Sequence, residues 1–583
     1  MLDILFLNKY VSEVSNDLIN SRVDKIYQPR SLELLFSIRK PGETVFLRLD
    51  SGAENTHFRI TKKSTENPSN PPAFCMLLRK YLIGSKILEV NVVENERIIN
   101  FVFQGRHPNG NVAKWILSFE IMGKHSNVVF YQVDTLEVLG LLKPIQSSVR
   151  ELKVGGQYSL PPAQLKLSEG NLNTKEFMIR SLGDENLNLD KVIVKYFPKA
   201  SPILVKEFLY KYSLENEPLG KLDDNKIGVI IDKYKDFLQN IKFKPIMFID
   251  SKGMLKDFYC MQLDHLNGKI KSQEHTSFMD LVREFYDTKE SIDIINRTKS
   301  ILNKVINQSL KKLQKKQKTL NKDLDLYTNS NHFKDIGDLL MANLHFIKKG
   351  MTSIDVINYF TSQTETIKLD PSLNPIQNSQ YYYKKYSKAK RGLAIVQDNL
   401  NKVNEEILYL ESLILYVETN TDRIGLLEIE KELEKEGYVK HKVEKGFKNG
   451  QNQKKTPEES KPLNYISSDG FTILVGRNNK QNDQLTLRVA KKDDVWFHVK
   501  GIPGSHVIIK DGSRAPENTL YEAALLAAYY SKGKLSSNVP VDYTEVKNVF
   551  KPKGAKPGMV NYVEYKTLFV TPSEENIVKM ERT

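Results

Sequence analysis

The sequence is poor in cysteine, and this scarcity excludes two classes of protein. Only two cysteines, Cys75 and Cys260, occur among its 583 residues. Two thiols cannot build the disulfide framework of a small secreted domain or a structural zinc site with four cysteine ligands. Cys75 lies in an apolar stretch that predicts a core position rather than a reactive thiol. We therefore expect a protein of the reducing cytoplasm.

Long apolar runs are missing as well. The first residues, MLDILFLNKYVSEVSNDL, contain a four-residue apolar run and no basic segment before it. A signal peptide needs both a basic start and a longer apolar region. No stretch approaches the roughly 18 apolar residues of a transmembrane helix. The sequence therefore predicts neither export nor a membrane partner.

Motifs that carry enzymatic chemistry are also missing. The chain has no GxxxxGK[ST] motif and no GxGxxG after a predicted strand, so the usual cradles for nucleotide phosphates are absent. His498 and His506 lie near Asp493 and Asp494, which leaves a metal or acid–base cluster open. Polar partners within a turn-rich sheet are the interpretation that this pattern favours. We expect no enzyme, no catalytic residue, no metal and no cofactor.

What the sequence does have is positive charge. It contains 86 Lys and Arg against 71 Asp and Glu, a formal net charge of +15, while 40% of its residues are hydrophobic. That content predicts several domains with proper cores. The basic surplus fits a polyanionic partner, either nucleic acid or an anionic membrane surface, although a merely basic soluble protein remains an alternative.

The first 172 residues predict an α+β domain. The apolar runs KILEVNVV (86–93) and IINFVFQG (98–105) flank ENER as a hairpin would. WILSFEIM and NVVFYQVD flank GKHS in the same way, and residues 71–84 show helical spacing. The next segment, 173–285, alternates helical stretches with short polar breaks, which indicates a small helical domain.

Residues 286–437 carry coiled-coil periodicity. Apolar residues recur at heptad spacing in two arms, one from Ile306 to Tyr327 and one from Leu393 to Val417. Between them, 329–377 contains a helix-like stretch and two prolines that interrupt any helix. The pattern predicts an antiparallel hairpin with a distal tip at 329–377.

Charge is distributed unevenly along this hairpin. Residues 296–322 contain nine Lys or Arg and no acid, whereas 398–437 contain eleven acids and four bases. Pairing of the first arm's lysines with acids of the second arm is the structural explanation. A basic cluster interleaved with tyrosines 381–383 and 386 is a possible RNA contact. Its lysines are Lys384, Lys385 and Lys388, followed by Lys390 and Arg391.

The last part of the chain contains a linker and a second α+β domain. Residues 438–462 are rich in Lys, Gln, Gly and Asn, which predicts a flexible linker. The final domain, 463–583, has predicted strand pairs around SSDG and RNNKQND and a helix in ENTLYEAALLAAYYSK. Its basic loop KPKGAKPG offers Lys551, Lys553 and Lys556 as possible RNA contacts.

Several motifs match one protein family, in the family's order. The stretches are RVDKIYQP (22–29), ENPSNPPAFCMLLRKYL (66–82), ENER (94–97), QGR (104–106), EIMGKHSN (120–127), LDPSLNPIQNSQYYYKKYSKAKR (369–391), DGFTILVGRNNKQNDQLT (469–486), WFHVKGIPGSHVII (496–509) and KPKGAKPGMV (551–560). They resemble the NFACT-N domain, the second coiled-coil arm and the NFACT-R domain of the RqcH/NEMF family. Some bacterial members carry the name fibronectin-binding protein A. The resemblance spans almost the whole chain.

The resemblance implies a ribosome quality-control factor. Members bind a stalled large (50S) ribosomal subunit, with its rRNA and ribosomal proteins, that still carries peptidyl-tRNA. They recruit alanyl-tRNA in bacteria and direct untemplated alanine tailing of the nascent chain, which marks it for degradation. Peptide-bond formation belongs to the ribosome. A small Hsp15-like RNA-binding partner (RqcP) is also implied.

The resemblance also implies site residues. An Asp-Arg pair of the family takes part in tRNA recognition, and Glu96 and Arg97 match it here. The family's EIMGR stretch corresponds to Glu120, Ile121, Met122, Gly123 and Lys124. Glu96 in place of Asp and Lys124 in place of Arg both keep the charge. Glu96 is longer by one methylene, and Lys124 lacks the guanidinium with which arginine can form two parallel hydrogen bonds. These changes put the choice of tRNA, rather than RNA binding itself, in question.

Two further positions are compared with the family. Asp3 matches a family aspartate and is a possible RNA contact, with Ile4 in place of the glycine that usually follows. The helical segment corresponds to a helix-hairpin-helix module, whose hairpin usually contains glycine. Here the stretch YFPKASP (196–202) has none.

The residues make a case of their own for the tRNA-binding positions. Glu96–Arg97 and Gly123–Lys124 fall at predicted hairpin turns, which present side chains on a rigid scaffold. Arg97 and Lys124 can contact phosphate or base edges, and Glu96 can accept from a base amino group. An ordinary exposed ion pair is the alternative.

Two other functions compete with this interpretation. A surface adhesin that binds fibronectin requires export, and no signal segment is recognisable. A DNA-binding protein like formamidopyrimidine-DNA glycosylase needs an N-terminal proline nucleophile and often a zinc finger. The start Met1-Leu2-Asp3 and the two cysteines argue against both features.

Overall fold

The fold is mixed helix and sheet, with several separate sheets. The computed structural model describes residues 2–63, 67–107, 110–162, 165–251, 253–268, 270–359, 361–439, 460–578 and 580–582. The chain divides into two compact units, Met1–Ser291 and Ile292–Thr583. None of the helices in these described ranges is long and apolar enough to span a membrane.

A nine-stranded antiparallel sheet forms the centre of the first unit. Its strands are β1 (Arg22–Arg30), β2 (Glu33–Lys40), β3 (Glu43–Asp50), β4 (His57–Thr61), β5 (Lys86–Val92), β6 (Ile98–Arg106), β7 (Val112–Glu120), β8 (Asn127–Gln132) and β9 (Val138–Leu141). They lie in the order β4-β3-β2-β1-β5-β6-β7-β8-β9. Both predicted hairpins are confirmed, because β5 pairs with β6 and β7 with β8. A two-stranded ribbon of β10 (Ile145–Gln146) and β11 (Glu151–Leu152) follows.

Two helices pack against this sheet. One, α2 (Ala73–Leu82), is the helix predicted within 71–84, and it buries Cys75 as expected. The other, α1 (Ile4–Leu18), is absent from the sequence prediction, which indicates mostly strands there. Its Phe6, Tyr10 and Val14 follow one another at four-residue spacing and are fully buried.

The remainder of the first unit is helical, as predicted, and also contains a small sheet. The helices are α3 (Thr174–Arg180), α4 (Leu189–Tyr196), α5 (Pro202–Lys211) and α6 (Asp224–Gln239). The unpredicted sheet consists of β12 (Ile246–Ile249), β13 (Leu255–Tyr259) and β14 (Lys271–Glu274), with β12 in the centre. One hydrophobic core runs from Leu2 to Phe285, across the predicted boundary at 172. Lys199 adopts φ +56° in the α4–α5 turn, a left-handed conformation that glycine adopts more readily than lysine.

Two long helices dominate the start of the second unit. Helix α7 (Phe278–Thr328) crosses the boundary between the units in sequence, and α9 (Pro375–Thr419) pairs with it in antiparallel orientation. Gln317 donates to the Asn404 side chain at 2.6 Å, and the Lys299 ammonium donates to the Glu418 carbonyl at 2.8 Å. The geometry fits the hairpin that the heptad pattern predicts.

The charge pairing expected between the arms is wrong. Within the described residues, none of the nine bases of 296–322 forms an ion pair within 4 Å, and Lys299 bonds only to a backbone carbonyl. Most of these lysines are exposed. Long flexible side chains on a solvated helix surface gain little from pairing, because water screens the attraction.

The tip between the arms has its own small core. It contains α8 (Asn331–Ala342) and a hairpin of β15 (Ser353–Asn358) and β16 (Gln363–Lys368). Pro375 does not interrupt a helix; it begins α9, after a capping box formed by Asn374 and Gln377. Proline is tolerated at this first position because its missing N–H has no intrahelical partner there.

The C-terminal part of the second unit is a seven-stranded sheet with helices on it. Helix α10 (Arg423–Lys435) returns along α9, and residues 440–459 of the predicted linker lie outside the described residues. The strands are β17 (Leu463–Ile466), β18 (Thr472–Val475), β19 (Val495–Val499), β20 (Val507–Ile509), β21 (Val539–Glu545), β24 (Lys566–Val570) and β25 (Glu581–Arg582), with β22 (Val549–Phe550) and β23 (Asn561–Tyr562) as a separate pair. The helices are α11 (Asn479–Gln484), α12 (Glu517–Tyr529) and α13 (Glu574–Val578). The strand pair expected around RNNKQND is wrong, because Asn478 caps α11 there.

Candidate functional site

Two turns of the first unit lie side by side at one end of the nine-stranded sheet. One joins β5 to β6 and carries Glu96 and Arg97; the other joins β7 to β8. Strand pairing brings them together, because Ile98 lies opposite Glu120. The Ile121 N–H also donates to the Arg97 carbonyl at 2.8 Å. The two segments that the sequence singles out therefore form one site.

Arg97 and Lys124 are the accessible cations of this site. Lys124 is exposed and Arg97 half-buried. Among the described residues, neither side chain has a hydrogen bond or an ion pair within 4 Å, so the exposed ion pair considered from the sequence is not formed. Burial raises the pKa of Glu96, the charge of Arg97 opposes that shift, and the charge of Glu120 adds to it. The guanidinium and the ammonium are both free to meet an anionic ligand.

Glu120 supports the site from inside. It is completely buried, and Arg150 donates to its carboxylate through two N–H groups at 2.9 and 2.6 Å. Tyr158 donates a third hydrogen bond at 3.0 Å. A carboxylate that is enclosed and accepts three hydrogen bonds holds the end of β7 and does not reach a ligand. The predicted direct tRNA contact of Glu120 therefore does not fit its place, and Ile121 is buried too.

The second turn owes its shape to Gly123 and Ser126. Gly123 has φ +57°, a left-handed conformation that glycine adopts without steric cost, and it begins a short 3-10 turn. The buried Ser126 hydroxyl accepts from the Met122 N–H at 2.8 Å. The Lys143 ammonium donates to the Ser126 carbonyl at 2.8 Å. The turn thus presents Lys124 on a fixed backbone, with Met122 half-buried beside it.

Asp3 is part of the core and not of the surface. Its side chain caps α1 through the Phe6 N–H at 2.9 Å. It also accepts from the Ser201 hydroxyl at 2.5 Å and from the Tyr259 hydroxyl at 2.6 Å. Asp3 is only 6% exposed, so the predicted RNA contact does not fit the structure. Its bonds join α1 to α5 and to β13.

Lys166 lies near this site and escaped the sequence analysis. Burial lowers its pKa to about 8, Asp3 opposes the shift and Arg97 adds to it. The ammonium donates to the Ala200 carbonyl. Its segment, PPAQLKLSEG (161–170), shows no periodicity or motif that would have singled it out. Lys166 is therefore bonded to the helical part of the unit, and its charge lies close enough to Arg97 for the two cations to repel each other.

The basic cluster on α9 divides between surface and tip core. Lys384 and Lys388 are exposed. Lys385 lies over the ring of Tyr381 at 4.5 Å and near two further rings. Of the tyrosines expected to stack on bases, Tyr382 is buried, and the Tyr383 hydroxyl donates to Asp338 at 2.5 Å. Two of the four tyrosines therefore make internal contacts in the tip, and the exposed lysines remain as candidate phosphate contacts.

The basic loop between β22 and β23 is fixed by two of its lysines. Lys551 pairs with Asp483. Lys556 pairs with Glu436 at 2.7 Å and lies 5.1 Å from the centre of the Tyr409 ring. Lys553 is exposed. The loop is therefore anchored, and Lys553 is its most accessible cation.

The histidines of the C-terminal sheet are neutral. Burial lowers the pKa of His498 to about 4 and that of His506 well below its usual value. A ring nitrogen of His506 lies 2.7 Å from the Thr486 hydroxyl. Within the part of the chain that the structure describes, no group of three or more His, Cys, Asp or Glu side chains is placed to hold a metal. The structure thus supports the interpretation of these histidines as polar partners within the sheet.

The chain matches two family models in succession. Residues 3–455 match the NFACT N-terminal and middle domains, and residues 461–564 match the NFACT protein RNA binding domain. The site at Glu96, Arg97 and Lys124 lies in the first match, and the basic loop lies in the second. An RNA-binding module is thus part of the chain.

Curated relatives cover the chain from end to end. It is 36% identical to Rqc2 homolog RqcH of Bacillus subtilis and 32% identical to Rqc2 homolog RqcH of Streptococcus pneumoniae, with 100% of both chains covered in each comparison. A more distant relative, the ribosome quality control complex subunit NEMF homolog of Drosophila melanogaster, is 22% identical over 88% of this chain and 59% of its own length. The chain therefore belongs to the NFACT family of Rqc2 and RqcH homologues.

Proposed function

We propose that this protein is a cytoplasmic ribosome quality-control factor. In this role it binds a stalled large ribosomal subunit that still carries peptidyl-tRNA, and it recruits alanyl-tRNA. The ribosome forms each peptide bond, so the protein positions tRNA and is not itself an enzyme. The product is an alanine tail on the nascent chain, which marks it for degradation, and a small RqcP-like RNA-binding protein assists. The full-length match to relatives named RqcH carries the proposal.

The geometry of the two turns supports the tRNA-selecting part of this role. Arg97 and Lys124 stand on adjacent rigid turns, and both cations lack internal partners among the described residues. Rigid presentation limits the entropy lost on binding, so charge and shape can discriminate between related tRNAs. Glu96 beside Arg97 adds an acceptor that a base amino group can use.

The charge of the whole chain supports the RNA-binding part. The net charge is +15, and most of the lysines of α7 face solvent without acidic partners in the described part of the chain. Such lysines can neutralise RNA phosphates and release their counterions. A surface that binds in this way has affinity for RNA of any sequence, which suits a ribosomal partner.

Sucrose-gradient sedimentation tests the proposal. Cells in which translation is stalled are expected to show the protein in the fractions of free large subunits, and not with intact ribosomes. Sequencing of the RNA that copurifies with it is expected to show large-subunit rRNA and one dominant tRNA family, that of alanine. Association should weaken steeply as salt increases, because phosphate contacts release counterions.

The alternatives give different results in the same experiment. A protein that stays at the top of the gradient after stalling, with no enriched RNA, would disprove the proposal. Enrichment of DNA would favour the DNA-binding alternative. Detection of the protein at the cell surface with no ribosomal fraction would favour the adhesin.

A further inference from the structure

Strand β19 divides its side chains between the two faces of the C-terminal sheet. Val495, Phe497 and Val499 enter the core that α12 covers. Trp496 and His498 alternate with them and therefore lie on the opposite face. A cavity of about 230 Å³ lies on that second face, between the sheet, helix α9 and the loop that joins β22 to β23. Neither the family match nor the site at the two turns accounts for it.

The walls of this cavity are aromatic and uncharged. Trp496 contacts Tyr562 with ring centres 4.8 Å apart and His498 with ring centres 5.8 Å apart. Tyr409 of α9 lines the other side. Because burial keeps His498 and His506 neutral, none of the described side chains that line the cavity carries a charge. Such walls suit a flat, neutral ring and give no compensation to a charged ligand.

Trp496 lies behind the surface of this wall. Its ring and its indole N–H are fully buried. A ligand in the cavity therefore meets the half-buried rings of His498 and Tyr562, which both contact the indole. Trp496 is thus close enough to report on a ligand without touching it.

The size of the cavity restricts the ligand to a single ring system. A buried cavity of about 150 Å³ holds one benzene molecule, and drug-sized ligands occupy roughly 300 Å³ or more. The cavity lies between these values, at about 230 Å³. One nucleobase fits this range, while a base pair or a folded peptide does not.

A basic loop borders the cavity, and its accessible charge is that of Lys553, because Lys551 and Lys556 are paired with Asp483 and Glu436. Pro557 to Val560 form one wall and belong to the loop that carries Lys551, Lys553 and Lys556. Lys551 is close enough to lower the pKa of His506, which lines the cavity. A base inserted here would bring its own phosphates to this basic loop. Free neutral heterocycles would gain nothing from these lysines, whereas a nucleic-acid strand would.

An exposed aromatic ring continues the wall outwards. Tyr562 contacts Tyr565 with ring centres 5.2 Å apart, and Tyr565 is 45% exposed. The Lys500 ammonium lies 5.0 Å from the centre of the Tyr565 ring. An aromatic ring with a cation beside it is the arrangement on which single-stranded bases stack. The neighbouring base of the same strand thus has a surface of its own.

We infer that this cavity binds one unpaired nucleobase of a single-stranded RNA segment. The base lies against the rings of Tyr562 and His498, while the flanking phosphates meet Lys553 of the basic loop and the next base covers Tyr565. The inference rests on the RNA-binding part of the proposed function. It adds a base-specific contact to a domain whose lysines alone would bind any phosphate chain.

The two tryptophans of the chain make a direct test possible. The full chain is labelled with 5-fluorotryptophan, and its two fluorine resonances, from Trp115 and Trp496, are assigned with the Trp115→Phe variant. The probes are a six-nucleotide single-stranded RNA of mixed sequence and an abasic strand of the same length. The natural strand is expected to shift the Trp496 resonance and leave Trp115 unchanged. The abasic strand is expected to bind weakly and shift neither.

A substitution at the rim of the cavity provides the second measurement. Leu408 lines the cavity and is 39% exposed, so Leu408→Phe fills space there without entering the core. The matched control is Leu427→Phe on α10, at a residue that is 37% exposed and does not line the cavity. Leu408→Phe is expected to weaken binding of the natural strand roughly ten-fold and to leave the abasic strand unaffected. The control is expected to change neither.

The outcomes separate this inference from the proposed function. A Trp496 resonance that does not move at saturating RNA, or that moves equally with both strands, overturns the inference. So does a shift caused by an apolar peptide and not by RNA, which would assign the cavity to a protein partner. Sedimentation of the wild type with large subunits reports on the proposed function independently. A normal gradient profile without a Trp496 shift would leave the proposed function intact and remove only the nucleobase pocket.

Discussion

At the scale of single residues, the motif residues are of two kinds: some are accessible to a ligand, and others are buried and hold the structure in place. Arg97 and Lys124 face outwards, whereas Glu120 and Asp3 are buried and fully hydrogen-bonded. A motif marks both kinds of residue alike, because each kind is needed for the site to work. Burial distinguishes them, and it leads to different expected effects when they are replaced.

Replacing Arg97 should affect tRNA selection and not binding to the large subunit. Arg97→Ala removes a half-buried guanidinium that has no internal hydrogen bond or ion pair among the described residues, so folding should be unaffected. We expect the loss of about 1–3 kcal/mol of tRNA discrimination, the scale of one good base contact. Tail formation on a stalled reporter should fall while cosedimentation is retained.

The matched control for Arg97→Ala is Arg106→Ala, at the opposite end of β6. It should leave both tailing and cosedimentation unchanged. Equal loss of both activities in Arg97→Ala would instead mean that the side chain is structural. Normal tailing would mean that this protein does not use the site.

Replacing Glu120 should destabilise the protein. Glu120→Gln leaves Arg150 buried opposite a neutral partner, and breaking a buried ion pair from one side costs about 3–5 kcal/mol. The midpoint of thermal unfolding should therefore fall by several degrees. The control Glu151→Gln changes the exposed carboxylate that follows Arg150 in the sequence, and it should leave the unfolding midpoint within experimental error. An unchanged midpoint in Glu120→Gln would show that the pair contributes little.

Glu432 should make stability depend on pH. Burial raises the pKa of this carboxyl to about 7, while hydrogen bonds from Tyr409 and Asn479 oppose the shift. Between pH 4.5 and 7 the folded state holds a proton that the unfolded state has lost. The free energy of unfolding should therefore decrease by about 2–3 kcal/mol as the pH rises through that range.

Urea unfolding at pH 5 and pH 8 measures this dependence. Glu432→Gln should remove most of the difference between the two pH values, because the amide cannot ionise. Glu405→Gln, at an exposed position of α9, should retain it. The same decrease in Glu432→Gln as in the wild type would assign the pH dependence to another group.

At the scale of elements, the spacing of apolar residues predicts long helices and regular hairpins, and it misses short elements. Heptads give both arms of the hairpin, and alternation gives the two β-hairpins that carry the site. Helix α1 is missed although its buried residues recur at four-residue spacing, because strand patterns dominate the segment that follows it, and the small sheet β12–β14 is missed because its strands are short. The pairing of turns around Arg97 also depends on strand register, which becomes visible only in the structure.

The lysines of α7 should contribute to RNA binding and not to stability. Lys311, Lys315 and Lys318 are exposed on one helix and make no ion pair within the described residues. Changing all three to Gln should leave the unfolding midpoint unchanged or slightly raised, because like charges four residues apart repel. The variant should bind the large subunit more weakly. The slope of log affinity against log salt concentration should decrease by the equivalent of roughly three phosphate contacts.

The charge-conserving control changes the same three lysines to Arg. This variant should bind like the wild type, since phosphate contact requires the charge. A decrease in stability of the Gln variant would show that these lysines pair with acids after all. Unchanged binding would place the RNA surface elsewhere.

At the scale of the whole molecule, composition indicated the class of partner and the fold showed how the charge is placed. The basic surplus and the scarcity of cysteine are visible in the sequence alone. The continuous core that joins the first 172 residues to the helical segment is not, because a boundary in pattern need not be a boundary in packing. The two units that result give the molecule parts that can be tested separately.

Shortening the arm should separate folding from subunit binding. Gln317 and Asn404 are directly hydrogen-bonded across the hairpin, so residues 318–403 can be replaced by a short glycine turn without changing the register. Both units should keep their thermal transitions, while stable binding to large subunits should be lost. The control replaces the same residues with the tip and arm of a full-length relative, which should restore binding. A shortened protein that still cosediments normally would show that the arm is not the anchor.

One glycine gives the hairpin a fixed length. A Cβ atom on Gly392 would lie 2.7 Å from the Tyr327 ring, so this ring fits only where the opposite residue lacks a side chain. Two helices that meet only through Leu, Ile and Val can shift by one heptad at a modest cost in free energy. Here a shift of seven residues would place the Tyr327 ring against Lys385 or Asn399 instead of Gly392. The tip therefore stands at one set distance from the C-terminal domain that packs on the base of α9. The Tyr327–Gly392 contact thus fixes the register of the two arms and, with it, the length of arm that separates the tip from the C-terminal domain.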